Sequence, residues 1–141
     1  MLVILEGVSA VGKSAIMLEY FRTYNDVVMI CRFTPSNYVY GQMKNRIGEI
    51  PLPELLEIDQ KIKNSAIIFH LMLDQNILEK RQERDDVILD RLRLEELYNE
   101  YYKLTPIPHE KININGMTPK QIVEEIRRRL KKRGFLMQKI N

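Results

Sequence analysis

The sequence predicts an α/β fold, a three-layer α/β/α sandwich around a mostly parallel sheet of about four strands, and three observations carry that expectation. Short apolar runs at Leu2 to Glu6, Val27 to Cys31 and Ala66 to Leu73 alternate with stretches of helical periodicity, as the crossovers between parallel strands require. The runs are rich in Val, Ile and Leu without polar alternation, the pattern of strands covered on both faces. A length of 141 residues suits one domain, expected to span 1–141 with a small lid around 75–91.

The first run ends in Gly7, and behind it Ile16, Met17, Tyr20, Phe21 and Tyr24 recur at helical spacing. Val27 to Cys31 is the second strand, with Asn37 to Arg46 as the helix after it. Pro51 and Pro53 precede another helix with Leu55, Ile58 and Ile62 inward, and Asn64-Ser65 breaks it. Ala66 to Leu73 is the third strand, with His70 expected as a satisfied core or interface side chain. After a helical charge pattern over Gln75 to Arg84, the set Leu94, Leu97, Tyr98, Tyr101 and Leu104 marks an amphipathic helix over Leu92 to Leu104. Its tyrosines read as packing. His109 reads as loop, and Lys111 to Asn115 alternates as an edge strand. Thr118-Pro119-Lys120-Gln121 combines an N-cap, a proline at the first helical position and a glutamine three residues on, opening a last helix whose core face is Ile122, Val123, Ile126 and Leu130.

Composition narrows the function classes. With 45% hydrophobic and 29% charged residues, the chain is globular rather than disordered. One cysteine removes a disulfide framework and any multi-cysteine metal site. No window approaches the roughly 20 apolar residues of a membrane span, and the N-terminal run has no basic flank, so a cytoplasmic location without membrane partners is expected. The net charge of +3 is local, because Arg127, Arg128, Arg129, Lys131, Lys132 and Arg133 form one block. That block reads as a solvated helix end, or else as a contact to a nucleic-acid backbone.

Gly7-Val8-Ser9-Ala10-Val11-Gly12-Lys13-Ser14 fits G-x-x-x-x-G-K-[ST] at every defined position, with a strand before it and a helix after it. Glycines let the backbone curl so that N–H groups converge on phosphate oxygens, and the helix start adds its partial positive charge. Gly7, Ser9, Ala10, Val11, Gly12, Lys13, Ser14 and Ala15 are therefore the expected nucleoside triphosphate contacts. Lys13 brings a full charge to the β- and γ-phosphates, and the Ser14 hydroxyl is the expected Mg²⁺ ligand. The motif leaves open whether the γ-phosphoryl goes to water, a small acceptor or a macromolecule.

Glu6-Gly7 at the loop, with three further segments, resembles the thymidylate kinase and deoxynucleoside kinase group of P-loop kinases. Arg32-Phe33-Thr34-Pro35-Ser36-Asn37-Tyr38-Val39-Tyr40-Gly41 is similar to the group's D-R-[aromatic]-x-x-S-x-x-x-Y-G segment, which implies that Arg32 engages the acceptor. Cys31 stands where the group has a metal-organising Asp, and a neutral thiol does not replace a carboxylate on Mg²⁺. Glu6 is the nearest alternative acid, Asp90 a more distant one, and Asp26 lies at the wrong strand end. The segment Asp74 to Asp86 resembles the group's lid, implying that Arg81 and Arg84 clamp the transferring phosphoryl, with Arg91 as a third lid cation; a solvated charged helix is the competing reading. The stretch Leu94 to Leu104 followed by Ile112 to Pro119 resembles the group's last helix, strand and adenine-side loop, implying a donor-base contact at Asn115, which otherwise belongs to an Asn-Gly turn.

The resemblance implies an ATP- and Mg²⁺-dependent kinase acting on a nucleoside or (deoxy)nucleoside monophosphate. Members of the group usually carry a further strand and helices where this chain has only Tyr24, Asn25 and Asp26. Two explanations of the missing acceptor lobe compete: an acceptor as large as DNA or RNA or a modified base in it, or a nucleotide-binding module without transfer. A site completed across a homodimer stays open. Salt-dependent DNA binding favours the first, and tight ATP binding without turnover the second.

Overall fold

The computed structural model describes residues 1–7, 12–44, 50–74, 76–77 and 91–135. Its strands are β1 (Leu2–Glu6), β2 (Val28–Cys31), β3 (Ala66–Met72) and β4 (His109–Asn113). Its helices are α1 (Lys13–Thr23), α2 (Thr34–Lys44), α3 (Leu52–Ile62), α4 (Arg91–Tyr102) and α5 (Pro119–Lys132). All pairings are parallel, in the order β2-β1-β3-β4.

The burial of the strands explains the layers. Val3, Ile4 and Leu5 of β1 and Ala66 to Leu71 of β3 are buried whichever way they point, so helices must cover both faces. On one face α1 packs against α5; on the other α2 packs against α3 and α4. A right-handed crossover dictates this split, because the chain moves one way from β1 to β2 and the opposite way from β2 to β3. Each fully buried Leu or Ile here contributes about 2 kcal/mol.

Local chemistry sets the ends of the elements. Thr118 caps α5 through its side chain to the Gln121 amide, and Gln121 returns the bond to the Thr118 amide. Several expected spans and faces shift. Helix α2 starts at Thr34 rather than Asn37, with Pro35 in its first turn, where a missing N–H costs nothing. The fourth strand is His109–Asn113, so His109 belongs to the sheet edge rather than a loop; its pairing starts with Ile68 opposite His109. Leu104 lies beyond the end of α4 and is half exposed rather than core. On α3 the second inward position is Asp59, fully buried, whose carboxylate accepts from Thr34, Tyr101 and Thr105 hydroxyls at 2.6 Å each. Three donors offset the desolvation of that one acid and bind α2, α3 and α4 together.

Among the described residues, no helix is long and apolar enough to cross a membrane. The basic block of α5 is largely spoken for: Arg127 pairs with Asp26, Arg128 with Glu125, Arg129 with Glu125 and Glu110, and Arg133 with Glu110.

Candidate functional site

Parallel pairing gathers the carboxyl ends of all four strands at one edge, where open α/β sheets bind ligands. Gly7 leaves β1 there at φ 136°, and Gly12 enters α1 at φ 90°, both in the region that side chains disfavour. No side chain caps the start of α1 and its first turn holds no acid, so its leading N–H groups keep their capacity for an anion. Ser14 and Ala15 are exposed in that turn, while Lys13 is buried and donates from Nζ to the Gly7 carbonyl at 3.0 Å. Burial first, and the Arg32 charge second, bring the Lys13 ammonium down to about 8, against support from Glu6 and Cys31.

One strand away, Arg32 leaves β2 with φ 68°, a strained value for a residue with a side chain, its N–H held by the Leu5 carbonyl at 2.9 Å. Its guanidinium covers the Tyr40 ring at 4.6 Å. Tyr40 is buried and, among the described residues, its hydroxyl has no hydrogen-bond partner; neither does the buried Oδ1 of Asn37, three residues back on α2 and so on the adjoining face. Native folds rarely leave such atoms unsatisfied, so this pair on α2 is a candidate contact for a polar ligand.

Between these two regions sits Glu6, the last residue of β1 and fully buried. Its carboxylate accepts from the Phe33 amide at 2.8 Å, the Ser36 amide at 3.3 Å, the Ser36 hydroxyl, and the Tyr98 hydroxyl at 3.3 Å. Desolvation raises its pKa, and the bonds from Ser36 and Phe33 work against that rise. Glu6 thus serves the backbone between Arg32 and α2 and is not offered to a metal. Cys31 is half-buried, its Sγ 3.9 Å from the Met17 sulfur, and burial raises its thiol pKa, which keeps it neutral and a poor ligand for Mg²⁺. Among the described residues no three His, Cys, Asp or Glu side chains gather around a metal position. The Ser14 hydroxyl remains as a protein oxygen, which fits an ion that keeps most of its waters and arrives on phosphates.

The structure thus brings Gly7, Gly12, Lys13, Ser14, Ala15 and Arg32 to one sheet end. Asn115 is at that end too, its Oδ1 accepting from the Asp74 amide at 3.0 Å and tying the turn after β4 to the end of β3. Ser9, Ala10, Val11, Arg81, Arg84 and Asp90 lie outside the described residues, as does most of the expected lid; Arg91 starts α4. His70 is buried as expected, its ring nitrogens facing Tyr102 Oη at 2.7 Å and Glu95 at 3.0 Å. The linking role of Glu6 and the polar contribution of Asn37, Tyr40 and Tyr98 escaped the sequence reading. A signal existed: tyrosines at core positions where Leu or Phe would pack equally well announce hydroxyls with buried work.

No protein-family model and no curated protein sequence matches the chain. Solved structures do. The YorR protein from Bacillus subtilis, crystallised with phosphorylated GDP, superposes with a TM-score of 0.78 at 20% identity over 98% of this chain and 100% of its own. Thymidylate kinase from Candida albicans superposes with a TM-score of 0.58 at 14% identity, over 99% of this chain and 96% of its own. The four-stranded parallel sheet with helices on both faces is therefore the fold that these two proteins share, one of them a thymidylate kinase.

Proposed function

We propose that the chain is a phosphotransferase that moves the γ-phosphoryl of ATP, with Mg²⁺, to a nucleoside monophosphate or nucleoside, in the manner of the thymidylate kinase group. The observation that carries this reading is the pairing at one sheet end of an uncapped, lysine-bearing helix start with Arg32, Asn37 and Tyr40. Gly7 and residues 9–15 cradle the donor phosphates, Lys13 reaches the β- and γ-phosphates, and Asn115 lies on the donor-base side. Ser14 would hold Mg²⁺, which would supply positive charge beside the phosphates. Arg32 engages the acceptor, and Asn37 Oδ1 accepts from a base N–H while the Tyr40 hydroxyl supplies a second contact. In this reading the chain is a single 1–141 unit with 75–91 as its lid, and Arg81 and Arg84 are the cations that would meet the transferring group. The acceptor oxygen forms its bond to phosphorus as the bond to the ADP oxygen breaks, a nucleoside hydroxyl releasing its proton to solvent, with charge spread over three equatorial oxygens that those cations stabilise. A cytoplasmic nucleotide pool suits this chemistry.

Binding without transfer is the second reading, favoured by the neutral Cys31 where a metal-organising carboxylate is expected. A nucleic-acid acceptor is weakened, since four arginines of the basic block are committed to carboxylates of the chain itself. The deciding experiment supplies γ-labelled ATP and Mg²⁺ with nucleosides, deoxynucleoside monophosphates and single- or double-stranded DNA, using Lys13→Ala as control. Label in a monophosphate or nucleoside, lost in the control, is the expected result. Label in DNA alone transfers the reading to a nucleic-acid kinase, and ATP binding without any label leaves the binding module.

A further inference from the structure

Tyr98 lies between the two halves of the site without belonging to either. It is fully buried on α4, its ring set edge-on to His70 at 4.7 Å and stacked on Tyr102 at 5.9 Å, so the hydroxyl has one position. That hydroxyl is 3.3 Å from the Gly7 carbonyl, 3.3 Å from Glu6 Oε1 and 3.1 Å from the Ser36 hydroxyl. It has a single proton to donate, and the Gly7 carbonyl and Glu6 Oε1, at equal distance, compete for it with the Ser36 hydroxyl oxygen, whose own proton goes to Glu6 Oε1. One acceptor, the Gly7 carbonyl, is the atom that also receives Lys13 Nζ. A second, Glu6, accepts from the Phe33 amide just ahead of α2 and from the Ser36 amide in the first turn of α2.

We propose that Tyr98 is a positioning residue that couples the donor side to the acceptor side by moving one hydrogen bond; the proposal rests on the reading of the glycine loop as the triphosphate site. When Lys13 turns from the Gly7 carbonyl to a phosphate, that carbonyl loses its ammonium and takes the Tyr98 proton. Glu6 Oε1 then loses a donor, and the buried carboxylate draws more strongly on the Phe33 amide, the Ser36 amide and the Ser36 hydroxyl. No bond to hydrogen breaks. Donor binding therefore stiffens the chain next to Arg32, Asn37 and Tyr40, and by linkage an acceptor bound there tightens the donor by the same factor.

The test is hydrogen exchange of the Phe33 and Ser36 amides with and without AMP-PNP and Mg²⁺, in the wild type and in Tyr98→Phe. The variant keeps the ring contacts and leaves Gly7 bonded to Lys13 and Ser36 bonded to Glu6, and its melting temperature reports that it folds. Expected is a severalfold slowing of both amides in the wild type on AMP-PNP binding, absent in Tyr98→Phe although the analogue still binds by calorimetry. Wild-type amides that do not slow when AMP-PNP binds overturn the proposal without any variant, as does slowing of equal size in Tyr98→Phe. AMP-PNP that fails to bind the wild type removes the triphosphate reading and the proposal together.

Discussion

The two ends of the sheet carry similar ingredients, tyrosines, acids and arginines, in opposite electrostatic condition. At the amino end, Asp26 accepts from Tyr20 at 2.8 Å and from Arg127 at 2.5 Å, and Arg127 stacks over the Tyr24 ring at 3.6 Å while Tyr24 donates to Glu124 at 2.6 Å. Partial burial works against the Asp26 charge, but the bonds from Arg127 and Tyr20 win and hold its pKa below the usual carboxylate value. At the carboxyl end, burial pushes Glu6, Cys31 and Tyr98 up and Lys13 down to about 8, each toward neutrality. One end pairs its charges within the chain; the other keeps two buried oxygens without a partner among the described residues. The contrast separates what holds α1 to α5 from what the fold presents for chemistry.

The largest effect that sharpens this contrast is expected for Lys13→Ala. It should lower phosphoryl transfer by about 10³-fold or more, as loss of a transition-state charge does, with no loss of melting temperature because the removed ammonium was held at a desolvation cost. Transfer within tenfold of the wild type contradicts the role given to Lys13. At the amino end, Arg127→Ala should cost about 1 kcal/mol of stability in urea unfolding and leave kcat and KM unchanged, since a partly exposed ion pair is lost away from the carboxyl ends of the strands. A changed KM there would erase the distinction between the ends.

Acidity gives the next test. The free chain keeps Lys13 charged below about pH 8 and loses the charge above it. Accordingly kcat/KM for ATP should be level below about pH 7, about halved near pH 8, and fall by about tenfold per unit above about pH 9. A profile level to pH 9.5 would mean that Lys13 does not carry the donor contact. The smallest effect is expected for Cys31→Asp, which sets a carboxylate beside Lys13 and Arg32: a few-fold gain in transfer, or a lower Mg²⁺ requirement, measured by metal titration. An unchanged rate and metal dependence in a folded variant would remove Cys31 from the metal-organising position.

Much of this architecture was legible in the residues. Leu2 to Glu6 and Ala66 to Leu73 announced two-sided burial by lacking polar alternation, and Thr118 with Gln121 announced its cap. Gly7, Gly12 and Lys13 were legible because backbone curvature and phosphate charge demand those residue types in that spacing. What periodicity missed were long-range polar partners. Asp59 sits on an apolar helix face because hydroxyls from Thr34, Tyr101 and Thr105 converge on it, and Glu6 faces inward because Phe33 and Ser36 turn their amides to it. Pairings across 25 to 46 residues leave no local pattern. Leu104 failed for the opposite reason: its spacing continued a helix face past the point where α4 ends.

The central claim is that Asn37 and Tyr40 complete their hydrogen bonds on an acceptor, and equilibrium titration tests it most directly. Nucleoside monophosphates and AMP-PNP with Mg²⁺ are titrated into the wild type, Tyr40→Phe and Asn37→Ala. Monophosphate affinity should fall about tenfold or more in each variant, because lost hydrogen bonds leave polar groups of the ligand unpaired, while the Kd for AMP-PNP stays within twofold. Monophosphates that bind all three proteins equally, or that bind none, would contradict the claim.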